Sequence, residues 1–340
     1  MAHYKEKITM KDIAHHLQIS TVAVSKALSD KEGVSDSLRA EVKKVASEMG
    51  YKTRVEKREK EVKKGQTYNI GVFVAQRYIN IGCSFYWMMY QNLIQHLSQK
   101  GYYALLEVIT KEDEKSCTVP NILKDQRVDA LIILGQIKKE YIDFIMEQNT
   151  PTLFLDFYDT HFDMDAIVSD NMYGAYVITD YLISQGHSEI AYVGDIYATS
   201  SILDRYLGYY KAMMENNLEL RKEWNIIDRD SEGEYCEFIL PEEMPTAFIC
   251  NCDEVAYYLI QHLNKQGIKV PEDVSVVGFD DYLHATLSSP RITTIQVDVE
   301  TMAKEAARAI IKKIENHQYH LGRKVIQGKL VIRDSTKKIY

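Results

Sequence analysis

Apolar residues recur at helical spacing through the first fifty positions, and the rhythm then changes. Ile13 and Leu17 share one face of a short stretch that opens after Thr9. Val24, Ala27 and Leu28 do the same after Ser20, and Leu38, Val42, Val45 and Met49 form a longer stripe after Ser35. Each stripe predicts an amphipathic helix with one buried face. The polar residues at the edges fit the ends: Thr9 and Asp12 have capping-box spacing, Ser20 and Ser35 suit N-caps, and Gly50 stops the third helix. Only Gln18-Ile19-Ser20 separates the first two. The outward face of the second helix, Val22, Ser25, Lys26 and Ser29, is small, polar and basic. Such a helix fits a DNA major groove, its N-terminal residues reaching base edges while hydroxyls and a cation hold phosphates. An ordinary helical hairpin shows the same periodicity, so this pattern alone leaves both readings open.

From Tyr68 short, near-continuous apolar runs alternate with helical stretches. The first set is YNIGVFVA, FYWMMYQNLIQHLSQKG, YYALLEVIT, a helix near 119–126, DALIIL, a helix near 138–148 and TLFLDF. The second is AIVSD, a helix over 172–185 closed by Gly186, IAYVGD, a helix over 202–215, AFICN, a helix over 253–266 and VSVVGFDD. Runs without alternation are strands covered on both faces, as in parallel sheets. The expectation is an α/β chain with a small all-α head: two doubly wound parallel units in tandem, with a ligand cleft at the strand C-termini. Between head and body, residues 52–67 read KTRVEKREKEVKKGQT. Glu56/Lys60 and Glu59/Lys63 are i,i+4 pairs, so a solvated helical linker is expected there.

Charge sharpens this division. Residues 1–64 hold 15 Lys+Arg against 10 Asp+Glu, a surplus of +5. The other 26 basic and 39 acidic residues carry −13, for −8 in total. A basic head on an acidic body implies an anionic partner at one end only. At 340 residues, with 46% hydrophobic and 26% charged positions, the chain is expected to be a soluble, multidomain, cytoplasmic protein. The polar start MAHYKEKITMKD is not expected to be a signal peptide, and no apolar run reaches membrane-spanning length. The five cysteines (83, 117, 236, 250 and 252) fall in no zinc or thioredoxin spacing, so reduced thiols and no metal are expected.

The succession TMKDIA, IS-TVAVSKALS, GVS and a third helix ending in Gly50-Tyr51 resembles the DNA-binding headpiece of the LacI/GalR family of bacterial transcription regulators. The resemblance implies a helix-turn-helix head over 1–51, with Thr21, Val22 and Lys26 reading bases. Thr9, Ser20, Ser25 and Ser29 complete the expected DNA-facing set. It continues through ISQGH, the R-x-x-G-Y of 205–209, SVVGFDD, PRITTI and LVIRDST, implying a periplasmic-binding-protein-like body over 68–340. In such a body the chain crosses three times between lobes, expected here near 161–165, at 292–296 and shortly before the last strand. Lobe one is then about 68–163 and 296–326, and lobe two about 164–292 and 327–340. The linker departs from the family. The family has Pro-Asn, Ala-Arg and a minor-groove leucine; this chain has Thr53, Arg54, Lys57, Arg58 and Lys60, of which only Arg58 agrees. Lys57, Arg58 and Lys60 are expected to lie along phosphates or a narrow minor groove instead.

Several body residues suit a cleft ligand on chemical grounds. Arg205 offers a planar charged fork, while Asp280 and Asp281 end one apolar strand and Asp156 ends another. The resemblance makes Arg205, Asp280 and Asp156 effector contacts, sets Phe85 and Tyr86 against the ligand's ring, and adds Ser201. Helix capping is the alternative for the carboxylates, and plain core for the two aromatics. Cys252 stands where the family commonly has asparagine, so an amide contact is lost. With 24 tyrosines in the chain, a sugar-like effector stacked on aromatic faces is reasonable. The implied whole is a dimeric repressor on palindromic duplex DNA, controlled by a small polar effector without a cofactor. A ligand sensor that has lost DNA binding is the alternative. An enzyme is disfavoured, since the chain has no G-x-G-x-x-G, Walker loop or nucleophile elbow.

Overall fold

The computed structural model describes residues 8–29, 31–49, 51, 66–79, 85–230 and 233–339. They divide into two compact units that meet between Gln66 and Thr67.

The first unit holds helices α1 (Met10–His16), α2 (Thr21–Leu28) and α3 (Asp36–Glu48). Ile13, Ala14, Val24, Ala27, Val42 and Ala46 are buried together at its centre, with Leu17, Leu38 and Val45 packed against them. The ends are capped by local side chains. Thr9 donates from its backbone N and its Oγ1 to Asp12 Oδ2, both at 2.7 Å. Ser20 Oγ accepts from Ala23 N at 3.1 Å, and Ser35 Oγ from Leu38 N at 3.4 Å. Gln18, at φ 51°, makes the left-handed step that turns α1 into α2.

The second unit contains β1 (Asn69–Ala75), α4 (Phe85–Ser98), β2 (Tyr103–Ile109), α5 (Lys111–Ser116), α6 (Asn121–Lys124), β3 (Ala130–Leu134), α7 (Lys139–Met146), β4 (Thr152–Leu155) and β5 (Ala166–Ser169). It continues with α8 (Asn171–Ser184), β6 (Ile190–Val193), α9 (Ser200–Glu215), β7 (Asn225–Ile226), β8 (Ala247–Cys250), α10 (Asp253–Lys265), β9 (Ser275–Val277) and α11 (Leu283–Leu287). Last come β10 (Thr294–Gln296), α12 (Val299–Glu315), β11 (Arg323–Ile326) and β12 (Lys329–Val331). One six-stranded sheet runs in the order β11-β5-β4-β3-β1-β2 and a four-stranded sheet in the order β7-β6-β8-β9. All ladders within both sheets are parallel, while β10 and β12 form a separate antiparallel pair. The inner strands are apolar along nearly their whole length because both faces are covered, while the edge strands β2 and β11 carry exposed positions. Every residue of β3, β4, β6 and β8 is buried.

The run AIVSD corrects the expected second set. It forms β5, which pairs with β4 and with β11 in the first sheet. The first passage into the second lobe therefore follows Ser169 rather than residues 161–165. Asp165 explains the placement. It accepts from Leu321 N at 2.7 Å, Gly322 N at 2.9 Å and Lys313 Nζ at 2.8 Å, which brings the approach to β11 alongside β5. The helix expected near 119–126 is also shorter, only Asn121–Lys124, preceded by the separate Lys111–Ser116.

Candidate functional site

On the head, α2 presents Thr21, Val22, Ser25 and Ser29 as exposed residues and Lys26 as a half-buried one. Val22 is 63% exposed, a high value for a valine in a unit with so few buried apolar residues. Ser20 is spent as the N-cap, and Ser29 Oγ donates back to the Ser25 carbonyl, so Ser25 keeps the freer hydroxyl. Lys26 folds its stem toward Gly33, where an added Cβ would lie 3.0 Å from Nζ. Arg39 Nη2 donates to the Lys31 carbonyl at 3.0 Å, tying that same loop to α3. Lys57, Arg58 and Lys60 lie outside the described residues.

In the body, Arg205 stands in the second turn of α9, and its position follows from Gly208 one turn on. A Cβ on Gly208 would sit 2.1 Å from the Met172 carbonyl, so only glycine lets α9 lie this close to α8. Each guanidinium nitrogen has a partner. Nε donates to Asn171 Oδ1 at 2.8 Å, Nη1 to the Asn251 carbonyl at 2.5 Å, and Nη2 lies 3.2 Å from Asp280 Oδ1. The guanidinium carbon is 3.9 Å from the centroid of the Phe279 ring, a cation–π contact in a site shut from water. Asn251 is held in turn by Asp228 Oδ2 at 2.8 Å, and Asp228 pairs with Arg229.

Asp280 follows the end of β9 and Asp156 the end of β4. Both have left-handed backbones, at φ 111° and 68°. Such conformations cost about 1–3 kcal/mol each in a non-glycine residue, and they concentrate where geometry serves a ligand. Tyr86 donates from its hydroxyl to Asp156 Oδ2 at 3.0 Å, and its ring packs 4.8 Å from Tyr78 and 5.5 Å from Phe85. Burial pushes the Asp156 carboxyl up to about 6, with Arg205 pulling against it. Burial likewise pushes Asp280 up to about 7, opposed by Arg205 and reinforced by Asp156. Asp253 lies behind Gly278, whose absent Cβ would meet Asp253 Oδ1 at 2.2 Å, and its carboxyl is also raised by burial.

Arg205, Asp280, Asp156 and Tyr86 are thus brought into one electrostatically coupled cluster, with Phe85 behind Tyr86. Cys252 is the N-cap of α10, and its thiol is pushed up by burial and held neutral. Ser201 is buried in the first turn of α9, not in the preceding loop, with Oγ 3.0 Å from Thr199 Oγ1. Asp281 is a structural clamp: Arg333 Nη2 reaches Oδ1 at 2.5 Å and Gln296 Nε2 reaches Oδ2 at 2.9 Å. Sequence reasoning missed Asn171, Asn251 and the ring of Phe279. Their one signal was position, each lying at or just beyond a strand end.

A helix-turn-helix unit followed by a body of two doubly wound sheets, with a buried charged cluster at the strand ends, defines a ligand-responsive DNA-binding regulator. The model for bacterial regulatory proteins of the lacI family matches residues 9–54, and that for a periplasmic binding protein-like domain matches residues 179–336. The chain is 26% identical to the HTH-type transcriptional repressor PurR of Vibrio campbellii, over 97% of this chain and 99% of that protein. It is 27% identical to the ribose operon repressor of Haemophilus influenzae, over 96% and 98%. A transcriptional regulator CelR–cellobiose complex superposes with TM-score 0.69 at 20% identity, over 96% of this chain and 99% of that one. The lac repressor dimer bound to operator and an anti-inducer gives 0.65 at 21%, over 98% and 100%. In head and body alike the chain is similar to the LacI/GalR family of bacterial transcription regulators. Among the described residues no helix is long and apolar enough to cross a membrane.

Proposed function

We propose that this regulator is a cytoplasmic repressor that binds a palindromic operator as a homodimer and is switched by a small, hydroxyl-rich effector held by Arg205, Asp280, Asp156 and Tyr86. The carrying observation is the cluster itself, with buried Asp156 and largely buried Asp280, both on left-handed backbones, facing one buried guanidinium. A purely structural ion pair needs neither the backbone strain nor a second carboxylate. The ribose operon repressor and the cellobiose-bound regulator, which this chain resembles, support the same ligand chemistry.

Thr21, Val22 and Lys26 are the proposed base readers. Val22 offers methyl groups to a thymine methyl, Lys26 a cation to guanine acceptors, and the serine hydroxyls suit phosphates. Lys26→Ala should weaken the cognate site by about 1–3 kcal/mol if it meets a guanine. The experiment is binding-site selection from random duplex DNA with the wild type and the three alanine variants. Each variant should relax preference at its own base position. An unchanged selected motif in all three would remove these residues from base readout. Failure of the wild type to select any motif would favour the sensor reading over the repressor.

A further inference from the structure

Donors and acceptors in the body cluster do not balance, and the imbalance says what the ligand must bring. The protein's donors are mostly engaged, three of the five Arg205 N–H groups among them. Arg205 directs Nε, Nη1 and Nη2 at Asn171, Asn251 and Asp280, and the Tyr86 hydroxyl is given to Asp156. The acceptors are not. Asp156 Oδ1 is buried and has no hydrogen-bond partner among the described residues, and Asp280 Oδ1 has only the 3.2 Å contact to Arg205 Nη2. Charge is unbalanced in the same sense. Among the described residues Asp156 and Asp280 share the cation Arg205, with Asp253 coupled to Asp280 one layer back, because Arg229 is taken up by Asp228. Unmatched buried carboxylates are costly, and a ligand that supplied donors and positive charge would offset that cost directly. A neutral polyol supplies donors but no positive charge, and an anionic ligand would add to the surplus. Cys252, neutral and a weak donor, makes no demand on an anion.

We infer that the effector carries a protonated amine seated between Asp156 and Asp280, which makes an aminosugar or amino-polyol the ligand class of the cleft. This rests on the proposed effector site and narrows its chemistry. Tyr86 would flank the amine while the remaining hydroxyls face Asn171 and the Arg205 edge. Burial has lifted both carboxyls toward neutrality, so an ammonium must displace their protons. Affinity should therefore rise with pH from about 5.5 to about 7, while the amine stays charged.

The test is calorimetric titration of the full chain with matched sets. Glucosamine, galactosamine and mannosamine are each set against the parent sugar and the N-acetyl derivative, with glucuronate as the anionic member. At least one amine should bind about tenfold or more tighter than its parent and its N-acetyl form, which differ from it chiefly in charge. That advantage should shrink about tenfold or more in Asp280→Asn and in Asp156→Asn, while circular dichroism confirms that both variants fold. A parent sugar, N-acetyl sugar or glucuronate binding as tightly as its amine would overturn the inference. So would the absence of binding by all three amines. If a neutral sugar binds and Arg205→Ala abolishes it, the effector-site proposal survives although the amine does not.

Discussion

Asp280 shows how one side chain can report on the whole cleft. Its carboxyl is raised to about 7 and that of Asp156 to about 6, whereas an unfolded chain would hold both near 3.9. Between those limits the folded state binds more protons than the unfolded one, so stability falls as pH rises. Without ligand, the melting temperature of the body should drop from about pH 5 to about pH 8. Asp280→Asn removes one of the two titrations and should flatten the slope, leaving the variant the more stable protein by several degrees at about pH 8. Calorimetric melting of both proteins across that range checks it; parallel slopes would mean that Asp280 is ionised throughout. The residue scale is also where the sequence is hardest to read. Asp280 and Asp281 are neighbours with the same side chain. Arg333, 52 positions away, claims the second of them and leaves the first to Arg205. No local pattern separates the two.

At the scale of elements, the periodicities carried most of the information. The three head helices, the apolar strands and the helices beginning at Phe85, Asn171, Ser200 and Asp253 follow from spacing and caps, because burial and period are the same physical fact. Strand β5 was misassigned because AIVSD reads identically in either sheet. What assigns it is Asp165, whose hydrogen bonds reach residues more than 140 positions downstream. Gly208 is the element-scale counterpart of that lesson, since it looks like a helix-weakening glycine until the Met172 carbonyl is set beside it. Gly208→Ala should force α8 and α9 apart. Overpacking of that kind costs about 1–3 kcal/mol, and here it would also shift Arg205 from Asn171. Lower stability together with a weakened effector response, and unchanged DNA affinity in the absence of effector, is the expected result. Wild-type stability would show that the helices already tolerate a wider spacing. In the head, Ser20→Ala removes the Ala23 N–H partner and should cost about 0.5–2 kcal/mol, read as earlier melting of the head's helical signal.

Among the described residues of the body, three polar contacts join the lobes away from the crossover strands. Lys111 Nζ meets Glu234 at 2.9 Å, Ser200 N donates to Gln136 Oε1 at 2.8 Å, and Tyr158 donates to Asp204 at 2.9 Å. The exposed Lys111–Glu234 pair contributes little, about 0–1 kcal/mol, and each part-buried hydrogen bond about 0.5–1.5 kcal/mol. Together they bias an equilibrium between open and closed cleft, and an effector need supply only the difference in its affinity for the two states. The combined Lys111→Glu, Tyr158→Phe variant should therefore scatter as a wider body in solution without effector and bind effector more weakly. The linker sets the other half of the response. Lys60 stands where the family inserts a leucine, and a lysine cannot wedge between base pairs without losing hydration. It can follow phosphates or a narrow minor groove, so operator affinity should fall steeply with salt, each neutralised phosphate adding about −0.9 to the log–log slope. Replacing Lys57, Lys60 and Lys63 by alanine should lower that slope by up to about 2.7 and leave the bend of the operator small, as circular-permutation gel shift would show. A sharp central kink, or a slope indifferent to the three lysines, would mean that the linker only spaces the head from the body.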